Sequence, residues 1–310
     1  MIICCGEALI DFVPSHDGLS YRPCPGGSIL NIAVGLGKME VPVGFFCQLS
    51  TDFFGDLLVQ TLLDSGVDIS LCPRKDGQTT LAFVSLPKPG EEEPQFAFYS
   101  NGAVDRSMKV ENLPEKLDDK VKALHFGSIS LLLEPGATAL EHLMKRESRQ
   151  RMLSLDPNVR PAVIPDKEIF KKRFENWLNY VDILRLSHAD LSFIYPNDKI
   201  DALVTKWFEK GLSLIILTQG EEGAIGFGYH GIRTSVPAQR VIVKDTVGAG
   251  DSFFSAILTY LYDHQLLYNR QALRDIQIDE LTDCLLFASK AAAINCTREG
   301  ANPPFRYEMG

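Results

Sequence analysis

Val243-Lys244-Asp245-Thr246-Val247-Gly248-Ala249-Gly250-Asp251-Ser252-Phe253-Phe254 runs a glycine-rich turn straight into an acidic residue and an apolar stretch. Arg240-Val241-Ile242-Val243 before it has strand composition, and Ser252 to Tyr262 carries apolar residues at helical spacing, which predicts a strand-to-helix junction. The first N–H groups of a helix lack intrahelical partners and sit at the positive end of its dipole. Gly248, Ala249 and Gly250 have no bulk to keep an anion from them. Asp251 beside such a nest repels an anion unless it has chemistry to perform. Accepting a hydroxyl proton while amides neutralise a transferring phosphoryl group is one such task. Charging the first helical turn is the plainer alternative, and the turn alone does not separate the two.

The whole sequence narrows the classes. With 310 residues, 45% of them hydrophobic and 23% charged, the chain can bury a large core. A net charge of -9 with no clustered Lys and Arg argues against nucleic acid as a partner. The seven cysteines are scattered and contain no C-x-x-C pair, so neither a zinc site nor a disulfide framework is expected, and a reducing cytoplasm suits them. No run approaches the ~18 apolar residues of a membrane span, and no membrane partner is expected.

Ile2 to Cys5 reads as a buried strand leading through Gly6-Glu7 to Asp11, an acid that by itself reads as a solvated loop residue but is also placed where open α/β sheets put ligand contacts. After a turn-rich stretch over 14–27, Gly26-Gly27 opens a helix from Ile29 to Met39 with Asn31 in its first turns. An Asn there suits a polyol hydroxyl, or is simply a local hydrogen bonder. Pro42 to Leu49 predicts a strand and Phe53 to Leu63 a helix. The rhythm then breaks: Thr79 to Leu86 and Gln95 to Asn101 have strand composition around a polar loop, Pro87 to Pro94, whose Glu91 to Glu93 reads as a solvated tip. Such an excursion is either a lid over a site or a sheet edge that pairs with another subunit.

From Ala123 the alternation resumes, with strands at 123–127, 152–156, 181–186 and 212–218 and helices at 136–145, 167–178 and 200–210. This implies a doubly wound, mostly parallel sheet with helices on both faces and ligands at the strands' carboxyl ends. Asp156-Pro157-Asn158-Val159-Arg160, Ser187-His188-Ala189-Asp190 and Thr218-Gln219-Gly220-Glu221-Glu222-Gly223 stand at those ends. Arg160 is as compatible with phosphate or carboxylate binding as with a structural ion pair. No G-x-x-x-x-G-K-[ST], kinase H-R-D or D-F-G arrangement, or dinucleotide fingerprint is present.

Two separated motifs, Gly26-Gly27-Ser28-Ile29-Leu30-Asn31-Ile32-Ala33 and Asp245-Thr246-Val247-Gly248-Ala249-Gly250-Asp251, make the chain resemble the ribokinase/PfkB carbohydrate kinases nearly end to end, closest to the fructokinases. Gly6-Glu7, Asp11 and Gly300-Ala301 fall in matching order. The resemblance implies one ribokinase-like α/β domain over residues 1–310, with a small β-sheet lid from segments about 12–25 and 72–104. It implies that Asp251 is the base for a sugar hydroxyl, that Gly248, Ala249 and Gly250 form the anion hole, and that Asp11, Gly27 and Asn31 hold the sugar. It assigns ATP to Thr218, Gly220 and Gly223, with Mg²⁺ near the triphosphate and a K⁺ ion as an option behind the Asp245 loop. Asp190 stands where the family's motif closes in Glu, one methylene longer, which opens its water-mediated Mg²⁺ role to question. Glu40 and Ser50 replace two usual glycines, so their local turns are expected to differ.

Asp156-x-Asn158-x-Arg160 resembles the corresponding segment of fructokinases and of 2-keto-3-deoxygluconate kinases. A ketose presenting a primary hydroxyl to Asp251 is the first expectation, with Arg160 helping to neutralise the phosphoryl group. The keto acid is the second, its carboxylate meeting Arg160. A regulator of the same fold that binds sugar or nucleotide without turnover is the third. The lid is also expected to pair in a homodimer.

Overall fold

The computed structural model describes residues 1–15, 20–85 and 96–310; Glu91 to Glu93, expected as a solvated tip, and residues 16–19 of the turn-rich stretch lie outside them. In chain order the first strands are β1 (Ile2–Cys5), β2 (Leu9–Pro14) and β3 (Tyr21–Gly26), followed by helix α1 (Ser28–Lys38). Next come β4 (Val43–Phe46), β5 (Leu49–Ser50), α2 (Phe53–Asp64), β6 (Asp68–Leu71), β7 (Arg74–Lys75), β8 (Leu81–Val84) and β9 (Phe96–Tyr99). The alternating part contains β10 (Ala123–Gly127), α3 (Gly136–Glu147), β11 (Met152–Asp156), α4 (Lys167–Trp177), β12 (Ile183–Ser187), α5 (His188–Ile194), α6 (Ile200–Glu209) and β13 (Leu214–Thr218). It closes with β14 (Ala224–Gly228), β15 (Arg233–Val236), α7 (Ala249–Asp263), α8 (Arg270–Arg274) and α9 (Ile278–Cys296).

Nine strands form one sheet in the order β15-β14-β13-β12-β11-β10-β1-β4-β6. Its pairs are parallel from β6 through β13, and the β14–β15 hairpin adds an antiparallel edge. The parallel strands are apolar nearly throughout because both faces are covered, as crossover helices require. On one face α1, α7 and α9 pack Ile29, Phe254 and Leu285; on the other, α3, α4 and α6 pack Leu143, Trp177 and Trp207. The chain winds outward from β1 through β4 on one side and from β10 on the other, so the strand order reverses between β1 and β10. The crevice beyond the carboxyl ends there is where such sheets bind ligands.

The excursion forms a second sheet, β3-β2-β8-β9, with β8 and β9 antiparallel. Period-two alternation gives it two unlike faces. Leu9 and Ala82, with Phe98, pack toward Ile129 and Val163 of the body. The opposite face carries Phe12 stacked on Phe83 at 4.7 Å, flanked by Tyr21 and Tyr99.

Two expectations are corrected. Residues 240–243 form no strand: β15 ends at Val236, Pro237 has no N–H to continue a ladder, and Ile242 is 89% exposed. The glycine turn is therefore fed by a surface segment, tied down where the N–H of Lys244 donates to Cys296 O at 2.8 Å. The turn at Glu40 keeps a glycine-type backbone, with φ of 62°, in the left-handed region that side chains disfavour.

Candidate active site

The glycine turn and α1 meet at one point. Gly248 caps α7 in the left-handed conformation, with φ of 73°, and a methyl group on it would lie 2.5 Å from the Ala301 Cβ. Only glycine satisfies both demands. The loop is held from behind: Asp245 accepts from Val247 N–H at 2.9 Å and Gly300 N–H at 2.8 Å, while Asn295 donates to Val247 O at 2.8 Å. The first intrahelical bond of α7 runs from Ser252 N–H to Gly248 O, so the N–H groups of Gly250 and Asp251 precede it. Ala249 N–H is spent on Thr246 O at 3.1 Å, closing the turn itself. Of the three residues expected to form an anion hole, Ala249 has its amide taken by the turn, while the Gly250 amide lies ahead of the first intrahelical bond and is suited to an anion.

Asp251 is buried in the first turn of α7, where both its oxygens accept: Oδ1 from Ser28 Oγ–H at 2.7 Å and Oδ2 from Asn31 Nδ2–H at 2.8 Å. The sequence places Asn31 on the sugar; the structure gives its amide to Asp251. Ser28, inside the first motif but not expected in the site, is the second partner. Both come from the start of α1, which Gly27 opens with φ of 100°. A carboxylate so fixed has its lone pairs aimed, as a base must.

Asp11 lies on β2 in register with Cys24 and Ala82, on the face that turns toward the body. Gly26 makes room for it: a Cβ there would stand 2.0 Å from Asp11 Oδ2. Burial pushes the Asp11 carboxyl up to about 7; the Arg160 charge opposes this and the Asp251 charge adds to it. Arg160 has its guanidinium 5.4 Å from the centre of the Phe96 ring and donates to Val159 O at 3.1 Å. It sits on the Asp11 side of the crevice, under the second sheet.

On the far side, Asp156 and Thr218 are linked by a residue that the sequence reading passed over. Arg185, buried in β12, donates through Nη1 to Asp156 Oδ2 at 2.7 Å and through Nη2 to Thr218 Oγ1 at 2.6 Å. Burial outweighs the ion pair at Asp156 and raises its carboxyl to about 6. Gly220 has φ of 59° and nothing within 4 Å of where a Cβ would stand, leaving that side of its backbone open to a ligand, whereas Gly223 is needed because a Cβ would stand 2.0 Å from Val236 O.

Asp190 does not face this crevice as a free ligand. Its Oδ2 accepts from Ser187 N–H and Oγ–H at 2.8 and 2.7 Å in a capping box, and its Oδ1 accepts from Val159 N–H at 2.8 Å. It is a buried anchor for the 156–160 segment, and this seat does not fit an Mg²⁺ ligand. Among the described residues no three acidic, His or Cys side chains group as a metal site.

The model of the pfkB family carbohydrate kinases matches residues 1–306. The chain is 40% identical over 274 residues to a fructokinase of Rhizobium leguminosarum bv. trifolii, which covers 87% of this chain and 82% of that protein. It is 33% identical over 316 residues to fructokinase-1 of Zea mays, covering 98% of this chain and 94% of the maize enzyme. The crystal structure of a fructokinase with bound ATP from Xylella fastidiosa superimposes with a TM-score of 0.90 at 27% identity, over 99% of this chain and 96% of that one.

Proposed function

The chain belongs to the pfkB family of carbohydrate kinases, and we propose that it transfers the γ-phosphoryl group of ATP to a primary hydroxyl of fructose. The observation that carries this reading is Asp251, aimed by Ser28 and Asn31 beside the unpaired amides of the Gly248 turn. The sugar lies between Asp11 and Asp251. Its hydroxyl proton passes to the Asp251 carboxylate, its oxygen bonds to the γ-phosphorus, and the bond from that phosphorus to the bridging oxygen breaks, so that ADP leaves with the electron pair. The Gly250 amide and the α7 dipole take the charge that gathers on the phosphoryl oxygens. Thr218 and Gly220 receive the nucleotide phosphates. Mg²⁺ arrives with the triphosphate as part of the substrate, and a K⁺ ion below the Asp245 turn would offset that carboxylate's charge.

The second sheet acts as a lid, because its Asp11 face and Phe96 roof the crevice. Its outer face, with Tyr21 48% and Tyr99 65% exposed around the Phe12–Phe83 stack, suits a second copy of the chain. A cytoplasmic setting agrees with seven cysteines that are all free thiols; no helix among the described residues is long and apolar enough to cross a membrane.

One panel tests the reading: ADP release with fructose, other hexoses, nucleosides and 2-keto-3-deoxygluconate. Efficient turnover of fructose is expected. The keto acid is the second reading because Arg160 stands on the sugar side, where a substrate carboxylate would meet it. No acceptor-dependent turnover by protein that binds ATP would leave a non-catalytic binder instead. Sedimentation of Tyr99→Glu against the parent reads the dimer, and hydrogen exchange of residues 9–14 and 96–99 with and without fructose reads lid closure.

A further inference from the structure

Arg185 is a buried cation among acids. Its side chain is 8% exposed, one fork is spent on Asp156, and the Asp190 and Asp251 charges act on it besides. Its Nε has no hydrogen-bond partner in this buried position. A structural ion pair explains the contact with Asp156, because the two strands that carry it lie side by side in the sheet. It does not explain the other half of the guanidinium.

That half is turned to the site. A methyl group on Gly250 would lie 2.9 Å from Arg185 Nη2 and 3.2 Å from Nη1, so the guanidinium lies directly against the first turn of α7, the turn that also carries Asp251. Nη2 donates to Thr218 Oγ1 at 2.6 Å. A hydroxyl that accepts from a cation turns its own hydrogen away from it, and among the described residues no acceptor takes the Thr218 hydrogen. The result is a polarised O–H donor at the end of β13, next to the open backbone of Gly220.

We propose that Arg185 is the positioning cation for phosphoryl transfer: clamped by Asp156, it aims the Thr218 hydroxyl at an ATP phosphate oxygen and places positive charge beneath the Gly250 amide. The inference rests on the kinase reading above and goes beyond it in naming the group that balances the charge of the reaction. During transfer the sugar proton goes to Asp251, the sugar oxygen bonds to phosphorus and the bridging oxygen departs on ADP; Arg185 exchanges no proton or bond. Its charge opposes the negative charge that accumulates on the phosphoryl and leaving oxygens, while the Asp156 pair keeps the guanidinium from collapsing onto Asp251. An interaction of this kind strengthens as charge develops, so its loss falls on kcat.

The test uses Arg185→Lys, Thr218→Val and the double variant, with kcat, KM for ATP, KM for fructose, ATP affinity by calorimetry and Tm. Arg185→Lys keeps the charge and loses the fork, and is expected to lower kcat by roughly 10- to 100-fold with KM for fructose within about twofold. Thr218→Val, which leaves Arg185 and Asp156 paired, is expected to share that signature, and the double variant to be no worse than the poorer single one, as residues acting through one contact are. A purely structural pair predicts a lowered Tm with kcat intact. Wild-type kcat and ATP affinity in Arg185→Lys, additive losses in the double variant, or an unaffected Thr218→Val would each overturn the proposal, and the last reads out even where Arg185→Lys does not fold. Failure of the acceptor assignment is seen separately, as absent fructose turnover by wild-type protein that binds ATP.

Discussion

Asn31 Nδ2 donates to Asp251 Oδ2 at 2.8 Å across 220 residues of sequence, and with Ser28 on Oδ1 it leaves the acid no freedom to turn. The start of α1 therefore orients the residue that opens α7. Asp251→Asn preserves shape but cannot accept a proton. It is expected to fold and bind ATP while losing turnover by roughly 10² to 10⁴-fold, the usual worth of a positioned base. Calorimetry with ATP and steady-state ADP release check the two halves, and turnover within a few-fold of the parent would remove Asp251 from this role.

If Asp11 holds the sugar as proposed, the enzyme's grip on sugar is expected to depend on pH. With its carboxyl raised from 3.8 to about 7 by burial, Asp11 is increasingly protonated as the pH falls below neutrality and then accepts sugar hydroxyl protons less well. KM for fructose is expected to rise as pH drops from 8 to 6, more than kcat falls, and Asp11→Asn to show a high KM that is flat over this range. Stability runs the other way. A raised carboxyl pKa means that the folded state binds more protons than the unfolded chain, so this group's contribution falls as pH climbs from 3.8 through about 7. Asp11→Asn should then melt above the parent at pH 8 and level with it near pH 4; a lower Tm at pH 8 would contradict the assignment.

Glu40 occupies left-handed backbone at φ 62° on an exposed turn after α1, closed by its own N–H on Gly37 O. An L residue there costs about 1 kcal/mol that glycine does not pay. Glu40→Gly is expected to raise the urea midpoint by an amount worth up to about 1 kcal/mol, with an unchanged m-value and unchanged kcat. No gain in midpoint would mean that the Glu40 side chain compensates for its strain.

Much of this was legible from sequence because it depends on local pattern. The strand and helix alternation after Ala123 has the periods that burial on both sheet faces imposes, and the Gly248 turn carries its requirement for positive φ in the residue itself. Arg185 was not legible. It is one cation in the run Ile183-Leu184-Arg185-Leu186, and its meaning comes from strands on either side that place Asp156 and Thr218 beside it. The contact of Asn31 with Asp251 is hidden for the same reason, since the approach of α7 to α1 is a tertiary contact. Val241 to Val243 misled in the opposite direction: β composition yields a strand only where the segment pairs with a neighbour, and after Pro237 this exposed segment pairs with none. Asp190 looked like a metal ligand in a motif, and became a helix cap once Ser187 and the Val159 N–H were seen to fill it.

Arg160 is the residue for which structure reverses the kinetic expectation. Sequence reasoning placed its guanidinium on the transferring phosphate, which predicts a loss in kcat. The structure sets it against Phe96 of the second sheet, where its charge opposes the upward shift of the Asp11 carboxyl, while Arg185 is the cation bonded to Thr218. Arg160→Met is therefore expected to raise KM for fructose by about tenfold at pH 7 with a smaller change in kcat, because ground-state contacts and the ionisation of Asp11 are what it loses. The sign with pH follows. Without the cation the Asp11 pKa moves further up, so the KM defect should grow below pH 7 and shrink by pH 9, where Asp11 is ionised in either protein. A keto-acid substrate would behave differently, since a lost guanidinium–carboxylate pair raises KM at every pH. A defect confined to kcat would return Arg160 to the phosphate, and a KM defect for fructose that ignores pH would break its link to Asp11.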